Sequence, residues 1–475
     1  MQTIDIKDIQ GIVLKGYGSM INVRYCLLKI EDAKRAKIWL DEIVSKISDG
    51  DHSPEMASLN IAFTFHGLKA LGLKDANLRN FGREFREGMA TPHRQRILGD
   101  FDSSAPTEWR WGGFARDGKS EENLHILLMV FGKNIEVLNE FYTELEGQFL
   151  SKGISIIENL DGQINKDNKE HFGFRDGIAQ PVIAGSGQTG EANNMVAPGE
   201  FILGYKNQYG VYPETPLIEI EQGDLNLLSD DECGSSLKNI GRNGSYLVFR
   251  QMEQHVDRFW KFINENSKNE NGELNDVESI KLASKMVGRW PSGAPLVAFP
   301  EEDPGKLSDM DNFGYSENDK QGLRCPFGSH IRRTNPRDAF EDNKAKLSSK
   351  LTNKHRILRR GRSYGEAIDA GPNNYQTKDE VGLHFICVNA NIENQFEFIQ
   401  RTWSNNPSFQ NLYNEPDPLT GTQENIDKSL TQNFTVQDYP TNRCIQNLPQ
   451  FVTIRGGAYF FLPSMSAIKY LATIE

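Results

Sequence analysis

The sequence predicts an α+β protein built from two units of similar plan, and three observations predict it. Apolar, β-branched runs alternate with amphipathic stretches through roughly the first 160 residues. The same alternation restarts near Gly244. The length, 475 residues, exceeds what a single ordinary core holds.

The elements follow in order. Met20 to Ile30 reads as a strand, and Ala33, Ala36, Trp39, Leu40 and Ile43 recur at helical spacing. Leu59 to Phe65 is a second strand, and Gly67 to Leu73 a short helix. Leu124 to Phe131 is an apolar strand of the buried type, Ile135 to Leu145 is helical, and Ile154 to Asn159 closes the set. Residues 1–165 are therefore expected to form an N-terminal domain. Residues 166–240 are expected to connect it to a C-terminal domain of residues 241–475, with a Gly-, Asn- and Ala-rich irregular stretch at 182–200. In the second half, Gly244 to Met252 is a strand and His255 to Phe262 begins a helix. Gly382 to Val388 is a strand, and Ile392 to Trp403 is a helix with Phe396, Ile399 and Trp403 on related faces. Gly457 to Leu462 is a late strand. Residues 265–365 read as a long insert, and the polar stretches Asn264–Asn275 and Asn414–Asp427 as surface loops.

Composition is that of a globular protein, 37% hydrophobic and 25% charged. A net charge of −12 argues against a nucleic acid or an anionic membrane as partner. No run approaches the ~18 apolar residues of a membrane span, and the N-terminus lacks the apolar region of a secretory signal. A cytoplasmic location is expected. Five dispersed cysteines without a Cys-x-x-Cys disfavour a disulfide framework or a thiolate zinc site. One cationic island, residues 353–362, stands out in an acidic chain and reads by itself as a solvated face.

Two stretches carry candidate chemistry. In Cys325-Pro-Phe-Gly-Ser-His330-Ile-Arg-Arg-Thr-Asn-Pro336 a histidine follows a constrained turn and precedes two arginines. A structural histidine fits this context; so does a haem ligand, since haem iron needs only one protein imidazole. The other histidines read as structural or solvated. His52, His93 and His171 lie in polar loops, His355 in the basic island, His66 at a strand end, and His125 and His384 in apolar strands; His255 could serve a capping turn. No His-Glu-x-x-His occurs, so a zinc-hydrolase reading lacks its ligand set. In Phe172-Gly-Phe-Arg-Asp176-Gly-Ile-Ala-Gln-Pro181 a carboxylate sits between glycines. A turn aspartate and a catalytic carboxylate shielded by Phe172, Phe174 and Ile178 both fit. Arg359, Arg360 and Arg362 are possible cationic partners.

Gly173-Phe-Arg-Asp176-Gly177 resembles the Gly-x-x-Asp-Gly signature of the dye-decolorizing (DyP-type) peroxidases. Ile9 to Tyr17 and Asn60 to Gly72 resemble segments of that family's first domain. Cys325 to Arg337 is similar to its proximal-histidine motif, Ile357 to Gly365 to its distal-arginine segment, and Gly382 to Phe385 to a strand lining the haem. The motifs come in the family's order over nearly the whole chain. The resemblance implies two ferredoxin-like α+β domains, each an antiparallel sheet with helices, with haem b in the C-terminal one. It implies His330 as iron ligand, Asp176 as acid/base, Arg359 as the distal arginine and Leu383 and Phe385 as an apolar wall. Arg362-Ser363 before Tyr364-Gly365 departs from the family's usual Ile/Met-Pro, which leaves Arg359 and Arg360 both open. Asp417 is a candidate second-shell partner of His330 or a plain turn aspartate. Trp403 is a candidate surface relay or a packed helix residue. Hydrogen peroxide and an organic electron donor are the implied partners, and a non-catalytic haem-handling protein is the alternative.

Overall fold

Strand alternation and helix caps together account for the first unit. In the computed structural model, described for residues 3–190, 194–220, 227–340, 345–422 and 432–474, it runs β1 (Asn22–Ile30), α1 (Ala33–Ile43), β2 (Ala57–Phe63), β3 (Ile126–Gly132), α2 (Ile135–Ser151) and β4 (Ile154–Gln163). Asp32 caps α1 by accepting from Arg35 N, and Asn134 caps α2 by accepting from Val137 N. The antiparallel order β4-β1-β3-β2 is that of a ferredoxin-like βαββαβ unit.

The second unit repeats the plan. It comprises β5 (Ser245–Gln254), β6 (Leu358–Arg359), β7 (Arg362–Tyr364), β8 (Gly382–Asn389) and β9 (Val452–Leu462). Helices α3 (Val256–Glu265), α4 (Asp276–Val287) and α5 (His330–Thr334) lie between β5 and β6. The π-helical turns Glu393–Glu397 and Ile399–Ser404 follow β8, and α6 (Met465–Thr473) ends the described chain. The order β9-β5-β8-β7 matches that of the first unit.

The two antiparallel sheets are not separate. β2 meets β9 at Phe63 and Phe461, and β4 meets β7 at Gln163 and Ser363. Each unit thereby covers the other's edge strands, closing the ring β4-β1-β3-β2-β9-β5-β8-β7. β6 and the short strand Trp111–Gly112 complete the ten-stranded sheet. The period of two separates the faces of β1: Val23, Tyr25 and Leu27 join Met129, Phe131, Phe249 and Phe460 inside the ring. Cys26, Leu28 and Ile30 pack outward with Trp39, Leu40 and Phe149 of the helices.

Some expectations shift. The short helix is Phe65–Leu71 rather than Gly67 to Leu73, because Thr64 accepts from Gly67 N to start it and Gly72, at φ 106°, ends it. Within 182–200, Val182–Ile183 pairs with Met195–Val196, while residues 191–193 lie outside the described residues, as do 221–226 of the connecting segment. The stretch Asn414–Asp427 is not simply a surface loop: Glu415 and Asp417 are buried, and residues 423–427 lie outside the described residues. The described cysteines are all free. Among the described residues no helix is long and apolar enough to cross a membrane.

Candidate active site

His330 is the first residue of α5, held by polar ties from both arginines that follow it. Arg332 donates to Asp319 Oδ2 and Cys325 O at 2.9 and 2.8 Å and stacks between Tyr315 and Phe327. Arg333, fully buried, donates to Trp403 O at 3.1 Å, to Glu415 O at 2.8 Å and to Asn406 O. That hold on Glu415 brings the 415–420 segment under the histidine. Asp417, with no exposed surface, takes His330 Nδ1 at 2.9 Å, and its carboxylate also accepts from Leu419 N and Thr420 N. With Nδ1 so engaged, Nε2 is the nitrogen left to meet a ligand. Burial alone would lower the imidazole pKa, but the charge and hydrogen bond of Asp417 outweigh it and raise the value. Burial would raise the Asp417 carboxyl, yet His330 brings it below the ordinary value.

Asp176 leaves a turn that only glycine can form at Gly173, where φ is 97° and an added Cβ would lie 2.4 Å from Ala370 O. Arg359, on β6, donates through Nη1 to Asp176 Oδ1 at 2.6 Å and through Nη2 to Ile178 O at 2.9 Å. Its own backbone N–H is taken by Gln180 Oε1. Burial would push the Asp176 carboxyl up; Arg359, the Gly177 N–H and His330 overcome this and hold it below the usual range.

Arg360 points elsewhere, donating to Ile12 O at 2.6 Å and Val13 O at 2.9 Å, and Arg362 donates to Gly16 O and Tyr17 O. Arg356 is buried and donates to Ala179 O. The basic island is therefore a corrected expectation: it folds inward, its arginines tying the N-terminal segment and the Asp176 loop to the second unit.

Asp176, Arg359, His330, Leu383 and Phe385 line one cavity of about 250 Å³. Its walls are largely apolar, with Phe174, Ile178, Phe396, Ile399 and Leu419, and Arg175, Arg289, Arg337 and Arg356 also reach it. Leu383 and Phe385 stand opposite Met252 and Arg250 of β5, on one face of β8 by strand alternation. A second cavity, polar and also about 250 Å³, borders Asp176 and Arg359 together with Gln163, Asn165, Lys169 and Ser363.

Other sequence readings change. His171 is buried, not solvated, its Nε2 bonded to Tyr364 O. His255 occupies the cap position of α3 without capping it, bonding Thr453 Oγ1 instead. His355 is half-buried and stacks on Phe398 at 3.7 Å. Trp403 is 5% exposed and packs on Phe398 and Phe340, so it is not itself a surface aromatic. Glu170, Arg289 and Arg356 at the cavity were unassigned from sequence. The signal available for Glu170 was an acidic residue just ahead of the Phe-Gly-Phe-Arg-Asp turn. Among the described residues no group of three or more His, Cys, Asp or Glu side chains gathers to hold a bare metal ion.

The chain is similar to known proteins along nearly its whole length. Residues 8–165 match the family profile described as the DyP dimeric alpha+beta barrel domain, and residues 235–415 the one described as Dyp-type peroxidase, C-terminal. A dye-decolorizing peroxidase of Mycena epipterygia is 30% identical over 512 residues, which cover 99% of this chain and 87% of that protein. The multifunctional dye peroxidase of an Amycolatopsis species is 26% identical, over 98% of this chain and 93% of its own. The crystal structure of a fungal DyP-type peroxidase from Auricularia auricula-judae matches with a TM-score of 0.78 at 27% identity, covering 100% of both chains. An ancestral D-type enzyme matches with a TM-score of 0.79 at 30% identity, over 98% of this chain and 99% of that one. The chain belongs to the dye-decolorizing peroxidases, a family of haem enzymes, and is a peroxidase.

Proposed function

We propose that the chain binds haem b through His330 and uses hydrogen peroxide to oxidise organic donors such as dyes and phenolic compounds, with Asp176 as acid/base and Arg359 as the fixed cation beside it. The observation that carries this reading is that the Asp176–Arg359 pair and His330, backed by the buried Asp417, line the same apolar cavity. A division into residues 1–165, a connecting segment 166–240 and a haem-binding unit 241–475 accompanies it, since β4 ends at Gln163 and β5 begins at Ser245.

The residues present fit haem b. A macrocycle that supplies its own equatorial nitrogens asks one imidazole of the protein, and His330 offers Nε2. Its apolar faces suit Leu383, Phe385, Ile399 and Leu419. Its two carboxylates suit a cavity to which Arg175, Arg289, Arg337 and Arg356 contribute. Burial, joined by the nearby charge of Arg337, lowers the Arg356 pKa to about 10, so an added anion there relieves an existing cost.

When bound, haem b supplies the electrons that reduce peroxide and the oxidising power later passed to the donor. The chain's own work is proton movement and charge. Asp176, ionised, takes a proton from one peroxide oxygen and delivers it to the departing one. Arg359 stays protonated and stabilises the negative charge that develops on the departing oxygen. Asp417 fixes the His330 tautomer and raises the basicity of its ring. Leu383 and Phe385 exclude water and bulky groups from this side. The donor class is supported by relatives: one enzyme of similar fold is described in complex with 2,6-dimethoxyphenol, with a TM-score of 0.79 at 27% identity.

Purified protein loaded with haem should show a Soret band that His330→Ala loses. Asp176→Asn and Arg359→Leu should keep the band and slow the reaction with peroxide by about 100-fold or more. If both variants turn over at the full rate, the assignment of Asp176 and Arg359 is wrong.

A further inference from the structure

Glu170 opens the turn that presents Asp176, and its side chain fills the centre of that turn. Along the backbone, Glu170 N donates to Phe174 O and Gly173 N donates to Glu170 O, both at 2.9 Å, and Lys169 and Arg175 bridge the open end. The carboxylate then takes the turn's inward amides. Oε2 accepts from Phe172 N at 2.8 Å and Oε1 from Phe174 N at 2.9 Å. Gln254, the last residue of β5, donates its side-chain amide to Oε2. Glu170 also lines both cavities that border Asp176.

We propose that Glu170 is a positioning residue for Asp176: it fastens the Phe172–Asp176 turn to the barrel and thereby holds the Asp176 carboxylate against Arg359. The proposal rests on the reading of Asp176 as acid/base. Positive φ at Gly173 and Gly177 puts the turn outside regular structure, so no sheet ladder fixes its shape. Buried at Phe172 and Phe174, its amides need an acceptor, and the glutamate is the one within reach. Removing it leaves two inward amides unpaired and cuts the tie to β5. Asp176 can then move relative to Arg359 while His330, on the far α5, keeps its own supports.

The test uses haem-loaded protein, stopped-flow mixing with peroxide, and the rate followed against pH. The charged groups facing Asp176 are Arg359, His330 and Glu170. Glu170→Ala should slow the peroxide step by about 10–100-fold, as misplacement of a reacting group does. Its acid limb should move up towards the ordinary aspartate range, because Asp176 loses the contact that depresses its pKa. Glu170→Gln keeps one acceptor oxygen and should lie between Ala and the parent. The Soret band and the subsequent oxidation of a phenol should be unchanged in both. Peroxide rate and acid limb equal to the parent in both variants, with Asp176→Asn still slow, would overturn the proposal. An Asp176→Asn variant as fast as the parent would instead overturn the acid/base reading. Should Glu170→Ala fail to fold, Glu170→Gln and Gln254→Ala decide the matter. Both should shift the acid limb in the same direction, and an unmoved limb in both rejects the role of Glu170.

Discussion

Arg359 donates to Asp176 Oδ1 at 2.6 Å across 183 positions of sequence, from a strand of the second unit to a loop that precedes that unit. Its other arm holds Ile178 O, so the guanidinium is fixed at both ends. The carboxylate it meets is held below the usual range despite burial. Because the pKa is lowered, the ionised base is present above that value and lost only as pH falls through it. The peroxide step should therefore stay level from neutral pH down to about pH 4, the ordinary aspartate value, and fall only below it. Stopped-flow rates across pH 3–7 check this; a rise in rate from pH 4 to pH 7 would count against Asp176 as the ionised base.

The two-armed grip separates charge from geometry. Arg359→Lys keeps the positive charge but lacks the planar fork that reaches Asp176 and Ile178 together. Its peroxide step should be slower than the parent yet faster than Arg359→Leu, which loses about 10²–10³-fold. Equal rates in the two variants would show that the charge contributes nothing beyond shape.

Asp417 should govern how tightly His330 holds iron. Replacing it with alanine removes the acceptor of Nδ1 and should weaken haem retention by about 10–100-fold. Loss of the basicity it lends the ring should also raise the reduction potential of the bound iron. Haem titration followed at the Soret band, with redox titration of the loaded protein, measures both.

Stability should decline as pH rises from mildly acidic to neutral. Withdrawal from water pushes the carboxyls of Glu121, Glu170, Glu200 and Glu397 up to about 7. A folded-state pKa above the unfolded one means stability that is full below about 4.5 and is lost as pH rises through about 7. Carboxyls held low, such as Asp176 and Glu380, act oppositely and lose their contribution in acid. Tm should thus peak at mildly acidic pH. Glu200→Gln should flatten the decline towards pH 8, since its amide oxygen can still accept from Gln208 N. A Tm that climbs from pH 5 to pH 8 would contradict this.

What the sequence by itself determined was local. Period-two runs marked the barrel strands, and helical spacing marked α1 and α2. Glycines flanking Asp176 marked its turn, because φ near 97° and 79° needs no knowledge of distant residues. Strand ends were misjudged by a few residues, since pairing across the sheet carries β4 on to Gln163 and β9 back to Val452.

Tertiary structure alone decided the rest. Arg359 and Arg360 are neighbours of the same chemistry. The pairing of Arg359 with Cys387 on β8 sets which faces the cavity, and alternation sends the next side chain to Ile12 and Val13. The basic island looked like a solvated face because partners such as Ile12, Gly16, Ala179 and Asp176 lie far away in sequence. Asp417 read as a turn aspartate and does accept from Leu419 and Thr420, but only the fold of the 415–420 segment brings His330 onto it. Closure of the barrel hangs on the contacts Phe63–Phe461 and Gln163–Ser363, and no local pattern encodes which edge meets which. Local periodicity specifies elements and turns; the partners of a charge depend on register and on which face each strand presents.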